Sequence, residues 1–132
     1  MRAFVVKSKF MNNITGEVIK GAGRGRRLGY PTANILPAGE IDEGIYISYV
    51  VIDNEKFDSI TFIGNATTFG ESMVYAETHI FLFDKDIYGK RINIELIQKI
   101  RDNQKFSTAE ELVKQIKKDV EEARRYFKIS NP

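Results

Sequence analysis

The stretch 16–35, GEVIKGAGRGRRLGYPTANI, concentrates the chemically expressive residues of this chain. Between Gly21 and Gly29 stand four glycines (Gly21, Gly23, Gly25, Gly29) and three arginines (Arg24, Arg26, Arg27). Glycine lets a backbone come close to a ligand, and successive N–H groups in such a loop form a concavity that takes an anion. Arginine adds a planar, charge-assisted fork suited to phosphate. A Walker A loop would need Gly-Lys followed by Ser or Thr, which is absent here. A dinucleotide fingerprint counted from Gly21 would need glycine where Arg26 stands, and no helix follows. The loop is therefore a phosphate cradle of another type, or else a basic surface loop or nucleic-acid contact.

Directly after it come Tyr30, Pro31, Thr32, Ala33 and Asn34. Pro31 restricts its own φ and pushes Tyr30 towards extended conformations. In extended chain Thr32 and Asn34 share a face. A hydroxyl and an amide oxygen side by side are hard ligands of the kind Mg²⁺ prefers, and the same two side chains also suit backbone capping in a turn. Glu77 lies within a β-patterned run, where glutamate is depleted. It is either a solvent-facing strand residue or a carboxylate placed to accept the proton of an attacking alcohol. His79, the one histidine, shares that face, and a structural role accounts for it. In the polar segment 100–107, Arg101 and Phe106 suit a flat aromatic ligand through cation–π and stacking contacts. Phe106 equally suits a hydrophobic staple before a helix cap.

These groups need elements to position them. Period-two patterning marks strands over residues 16–20, 45–53, 59–64, 73–83 and 91–100. Asp53-Asn54-Glu55 reads as a hairpin turn, and 84–89 as a longer one in which Gly89 supplies a positive φ. The period then changes: Ala109, Leu112, Val113, Ile116, Val120, Ala123 and Phe127 form one helical stripe. Ser107 and Glu110 read as its capping box. Several strands followed by one helix, with no alternation of the two, give an antiparallel barrel or sandwich with a helix packed on it.

Composition narrows the remaining choices. With 132 residues, 42% of them hydrophobic, the chain fits one domain, residues 1–132, with a real core. There are no cysteines, which excludes disulfides and thiolate metal sites. The apolar run after Met1 is too short for a signal peptide, and no stretch is long enough to span a membrane. The expected location is the cytoplasm. A net charge of +2 leaves any attraction for phosphate to local clusters.

The run 16–35, Glu77-Thr78-His79, Ile87-Tyr88-Gly89 and the 101–106 loop with its following helix occur in the order and approximate spacing of the riboflavin kinases, a family this chain resembles from about residue 12 onwards. The string from the Gly-Arg segment into Leu28-Gly29-Tyr30-Pro31-Thr32-Ala33-Asn34 is its most specific part. The resemblance implies a mainly β fold: a six-stranded antiparallel Greek-key barrel with a long C-terminal helix. It implies an enzyme that moves the γ-phosphate of ATP to the ribityl 5′-hydroxyl of riboflavin, giving FMN and ADP with Mg²⁺ as cofactor. It puts the nucleotide against Gly21, Gly23, Arg24, Gly25, Arg26, Gly29, Tyr30, Pro31, Thr32 and Tyr88, and Mg²⁺ on Thr32 and Asn34. Glu77 becomes the general base, and the flavin ring lies near Arg101, Phe106 and Leu112. The expected partners are those small molecules alone, with no nucleic acid or membrane, and the expected state is a monomer. Where many bacterial relatives carry Pro-Thr, this chain has the 65–69 segment, which is assigned no contacts. The adenylyltransferase module often fused to bacterial relatives has no counterpart in these 132 residues, so FAD synthesis is not expected of them.

Overall fold

A computed structural model describes residues 13–19, 32–36, 38–68 and 71–129, with the backbone alone at 66–68 and 71–72. Six strands and one helix follow one another: β1 (Asn13–Glu17), β2 (Ala33–Ile35), β3 (Gly44–Ile52), β4 (Glu55–Thr68), β5 (Glu71–Ile80), β6 (Arg91–Arg101) and α1 (Ala109–Phe127). The strands form one antiparallel sheet in the order β1-β6-β3-β4-β5-β2. Strands β3, β4 and β5 form a meander, and β6 returns to lie beside β3, which is the Greek-key connection. The two edge strands approach one another: Ile19 N–H donates to the Asn34 carbonyl at 2.8 Å, nearly closing the sheet into a barrel.

Alternation along the strands divides the core in two. The barrel interior holds Ile14, Ile35, Val50, Ile63, Ala76, Ile92 and Ile94 among its fully buried residues. Ile45, Ile47 and Ile60 point to the outer face of β3 and β4, where Val120 and Ala123 of α1 cover them. The interior also contains a string of hydroxyls. Ser48 bonds to both Ser59 and Thr61 at 2.7 Å, and Thr61 donates to Thr78 at 2.8 Å. All four are fully buried. Each hydroxyl finds a partner, so the desolvation cost of about 1–3 kcal/mol for an unpaired buried group is avoided.

Several boundaries differ from the periodicity. β1 runs over Asn13–Glu17 rather than 16–20. Gly16, read as a strand start, sits mid-strand because β1 passes close to Ile35: a Cβ there would lie 2.7 Å from Ile35 Cγ2. β5 ends at Ile80 rather than 83, since Leu82 takes φ +56°, a left-handed turn invisible to a period-two pattern. The β3–β4 hairpin turns on Asp53 and Asn54, both at positive φ, as a primed two-residue turn requires. Gly89 has φ +86°, as expected of its turn.

The helix begins one residue later than its expected cap. Thr108 is the N-cap, accepting from Glu111 N–H at 3.1 Å, while Glu111 Oε1 accepts from Ser107 N–H. Ser107…Glu110 and Thr108…Glu111 both satisfy the capping-box spacing, so sequence alone could not choose between them. At the other end Lys128 is left-handed, and Ile129 N–H reaches Arg124 O at 2.9 Å. No helix among the described residues is long and apolar enough to cross a membrane.

Candidate active site

Glu77 is held at the middle of β5 by its neighbours. Ala76 and Thr78 on either side are fully buried in the barrel, so the pleat turns Glu77 to the outer face. Across the ladder it stands opposite Asn34 on β2 and Phe62 on β4. Directly opposed residues of an antiparallel pair lie on the same side. Thr32, two residues before Asn34, closes this group: its hydroxyl donates to Glu77 Oε2 at 2.9 Å. Three oxygen-bearing side chains, two from the end of the Gly/Arg segment and one from β5, thus meet on one patch.

Asn34 is only 9% exposed. Among the described residues no side chain or backbone group hydrogen-bonds its amide, whereas its carbonyl takes Ile19 N–H. The Asn34 amide oxygen is a hard ligand atom. Together with the Thr32 hydroxyl it makes a hard-oxygen donor set that fits Mg²⁺. No group of three or more His, Cys, Asp or Glu side chains that could hold a metal occurs among the described residues. A cation shared with phosphate oxygens needs no such cluster.

Thr32 and Glu77 stand at one end of a cleft of about 620 Å³ between the outer sheet face and α1. That volume is in the range of small-molecule sites, roughly 300–1,000 Å³. Ile45, Ile60, Phe62, Leu112, Ile116 and Val120 supply apolar walls. The far rim comes from the β6–α1 connection, including Arg101, Asn103 and Phe106. The cleft is therefore an apolar slot with polar groups at both ends.

The connection is fastened down by charge and amide contacts. Asn103 Nδ2 donates to Glu43 and to the Ile63 carbonyl, both at 3.1 Å. Lys99 bridges Asp42 and Asp102 at 2.7 Å each. The hydrogen bond from the Lys99 ammonium holds the Asp102 carboxyl below its ordinary range, and the same bonds raise Lys99. Burial pushes the nearby Tyr46 hydroxyl up.

Arg101 reaches across to the helix. Its Nε and Nη2 donate to the Asp119 carboxylate at 2.7–3.2 Å, and Nη1 donates to the Asp102 carbonyl. Gln115 Nε2 also donates to Asp119, at 3.0 Å. The Asp119 side chain is 5% exposed. The contact links α1 to β6 in a fixed geometry, and loss of either partner would leave the other charge uncompensated.

The structure thus brings Thr32, Asn34 and Glu77 to one patch, and lines the adjoining cleft with Arg101, Phe106 and Leu112. Tyr88 lies apart from the cleft, 60% exposed, on the turn before β6. That turn is tied to Val18 through Gly89 N–H and Lys90 O, next to where the Gly/Arg segment begins. Gly21, Gly23, Arg24, Gly25, Arg26, Gly29, Tyr30 and Pro31 lie outside the described residues. Asp119 and His79 are among the cleft residues not assigned from sequence. Asp119 carried a signal, an acid placed three residues after Ile116 on the apolar stripe, and His79 lines the cleft two residues beyond Glu77. The His79 ring packs edge-on to Phe81 at 5.3 Å.

Known proteins resemble this chain in sequence and in fold. The riboflavin kinase (Flavokinase) family profile matches residues 9–127. The trifunctional protein RibF/MnmA of Mycoplasmoides gallisepticum is 44% identical over 86% of this chain, which spans 18% of that protein. The bifunctional riboflavin kinase/FMN adenylyltransferase of Haemophilus influenzae is 37% identical over 86% of this chain, which spans 38% of it. The RNA-binding riboflavin kinase RibR of Bacillus subtilis is 35% identical over 90% of this chain, which spans 53% of it. Among solved structures, a macrolide-efflux protein from Streptococcus pneumoniae aligns with TM-score 0.75 and 35% identity, over 85% of this chain and 38% of that one. Riboflavin kinase from Trypanosoma brucei aligns with TM-score 0.60 and 22% identity, over 88% and 79%, a likeness of fold. With a profile match over most of its length, the chain belongs to the riboflavin kinase (flavokinase) family.

Proposed function

We propose that this domain transfers the γ-phosphoryl group of ATP to the ribityl 5′-hydroxyl of riboflavin, with Glu77 as general base and Mg²⁺ held by Thr32 and Asn34. The observation that carries the reading is the meeting of Thr32 and Glu77 at the end of an apolar cleft, with Asn34 paired to Glu77 across β2 and β5.

The flavin ring suits the slot between Phe62, Leu112 and Phe106, with Arg101 at the rim, and its polar ribityl tail runs to Glu77. The 5′-oxygen attacks the γ-phosphorus, its proton passes to the Glu77 carboxylate, and the bond from phosphorus to the β,γ-bridging oxygen breaks to release ADP. The Thr32 hydrogen bond engages Oε2, which leaves Oε1 to take that proton. A hydroxyl that donates its hydrogen keeps its lone pairs for a cation. Mg²⁺ bound at Thr32 and Asn34 would neutralise phosphate charge, the main demand of phosphoryl transfer. The Gly/Arg segment 21–29 supplies N–H and guanidinium donors to the phosphates. The small molecules are the only partners in this reading, and the chain acts as a monomer in the cytoplasm.

Purified protein incubated with riboflavin, ATP and Mg²⁺ should yield FMN and ADP in equal amounts. No FMN with any nucleoside triphosphate would end the proposal. Retention of single-stranded RNA on a filter by the same preparation, with steep salt dependence, would instead assign the arginines Arg24, Arg26 and Arg27 to nucleic acid.

A further inference from the structure

Arg101 is held in the cleft chiefly by a helix residue, with a further bond to the Asp102 carbonyl. Its Nε hydrogen and one hydrogen on each Nη are engaged by Asp119 and the Asp102 carbonyl, so one hydrogen on each Nη remains. The guanidinium plane is thereby locked at the rim rather than free to swing, since an arginine side chain otherwise carries about 2 kcal/mol of rotamer entropy. Asp119 is itself oriented by Gln115 from the preceding turn, four residues earlier on the same face. The carboxylate therefore takes three donors from two directions while buried under α1. Such a fork-to-carboxylate contact specifies geometry as well as energy.

The pair also sits at a dividing point of α1. Beyond it, Ala123 and Phe127 pack on the sheet, while Val120 both packs there and lines the cleft. Before it, Ala109, Leu112 and Ile116 face the cleft. The Arg101–Asp119 contact is thus the tie that sets how wide the slot stands between the first half of the helix and β3–β4. A hydrophobic contact would bring the two elements together without prescribing the direction of a guanidinium at the rim.

We propose that Asp119, supported by Gln115, is a positioning residue for flavin recognition: it fixes the Arg101 guanidinium and the width of the aromatic slot, and so governs affinity for riboflavin rather than phosphoryl transfer. The proposal rests on the flavin occupying this cleft, as argued above. Asp119 touches neither Glu77 nor the Thr32–Asn34 patch among the contacts of the described residues.

The test measures KM for riboflavin and for ATP, kcat, and flavin binding by fluorescence quenching in D119N, Q115A, R101A and the R101A/D119N double variant, each with its thermal midpoint. A lost charge-assisted hydrogen bond predicts that D119N raises the riboflavin KM and Kd by about tenfold, with ATP KM and kcat within about twofold of the parent. Q115A shifts riboflavin KM in the same direction by a smaller factor. The double variant binds flavin no more weakly than R101A alone, because Asp119 acts through Arg101. Equal losses in riboflavin KM, ATP KM and kcat would assign Asp119 a purely structural role and overturn the proposal. So would additive losses in the double variant. Where D119N does not fold, Q115A decides: an unchanged riboflavin KM and Kd overturns the idea. A parental protein that binds flavin but makes no FMN sinks the kinase reading and leaves the clamp measurable by quenching. A parent that binds no flavin sinks both.

Discussion

The Thr32 hydroxyl donates a 2.9 Å hydrogen bond to Glu77 Oε2 across 45 positions of sequence. It joins the end of the Gly/Arg segment to the centre of β5, so the residue suited to a cation and the residue suited to a proton are one unit. The bond sets the orientation of the carboxylate, and the pairing of β2 with β5 sets its neighbours.

Replacing Glu77 by Gln keeps the shape and removes the proposed base. Positioned general bases contribute about 10²–10⁴-fold, so kcat should fall by that order while ATP and riboflavin still bind. Steady-state kinetics beside equilibrium binding checks both halves. Turnover at the parental rate would remove Glu77 from the role.

Thr32→Ala and Asn34→Ala each delete one proposed cation ligand. The Mg²⁺ concentration giving half-maximal rate should rise by about tenfold or more in each. A magnesium titration at saturating substrates reads this directly, and an unmoved half-maximum in both variants would discard the metal assignment.

Phe106→Ala removes an aromatic wall from the cleft rim. Aromatic contacts contribute about 0.5–1.5 kcal/mol beyond area burial, so the riboflavin KM should rise several-fold and the ATP KM should stay near its parental value. An equal rise in both would place the flavin elsewhere.

Gly44 has φ +151°, and a Cβ there would lie 2.3 Å from Lys99 Cε and 2.8 Å from the Arg101 carbonyl. Lys99 can move, but the Arg101 backbone cannot do so without disturbing β6. Gly44→Ala should therefore lower stability by about 1–3 kcal/mol, read as a drop in the chemical denaturation midpoint. An unchanged midpoint would show that the start of β3 relaxes freely.

The Lys99 ammonium depresses the folded-state pKa of Asp102. The stabilisation from this contact is therefore complete above the ordinary Asp value of 3.8 and is lost as pH falls through the depressed value. Carboxyl NMR titration should place the Asp102 midpoint below that ordinary value, and Lys99→Met should move it upward. A midpoint unaffected by the substitution would mean the pair does not persist in solution.

Some of this was legible in the linear chain. The 3–4 spacing of Leu112, Ile116, Val120 and Ala123 specifies a helix with one apolar face, and period-two runs specify strands, because side-chain direction follows backbone geometry residue by residue. The oxygen chemistry of Thr32, Asn34 and Glu77 was legible from residue type and local extension. What was not legible is anything that depends on which distant segment lies alongside. The interval from Thr32 to Glu77 contains two intact strands, and only the sheet order, which sets β2 beside β5 rather than beside β3, makes these strands neighbours. The place of Asp119 on the stripe marks it as facing the sheet, but only docking of the helix names Arg101 as its partner. The shift of the helix cap by one residue, and the left-handed Leu82 that ends β5, were decided by backbone geometry that overlapping sequence patterns do not distinguish. Residue types and spacing thus determined the available chemistry and the elements. The tertiary structure decided which groups share a site, because contact between residues far apart in sequence is created by strand pairing and packing.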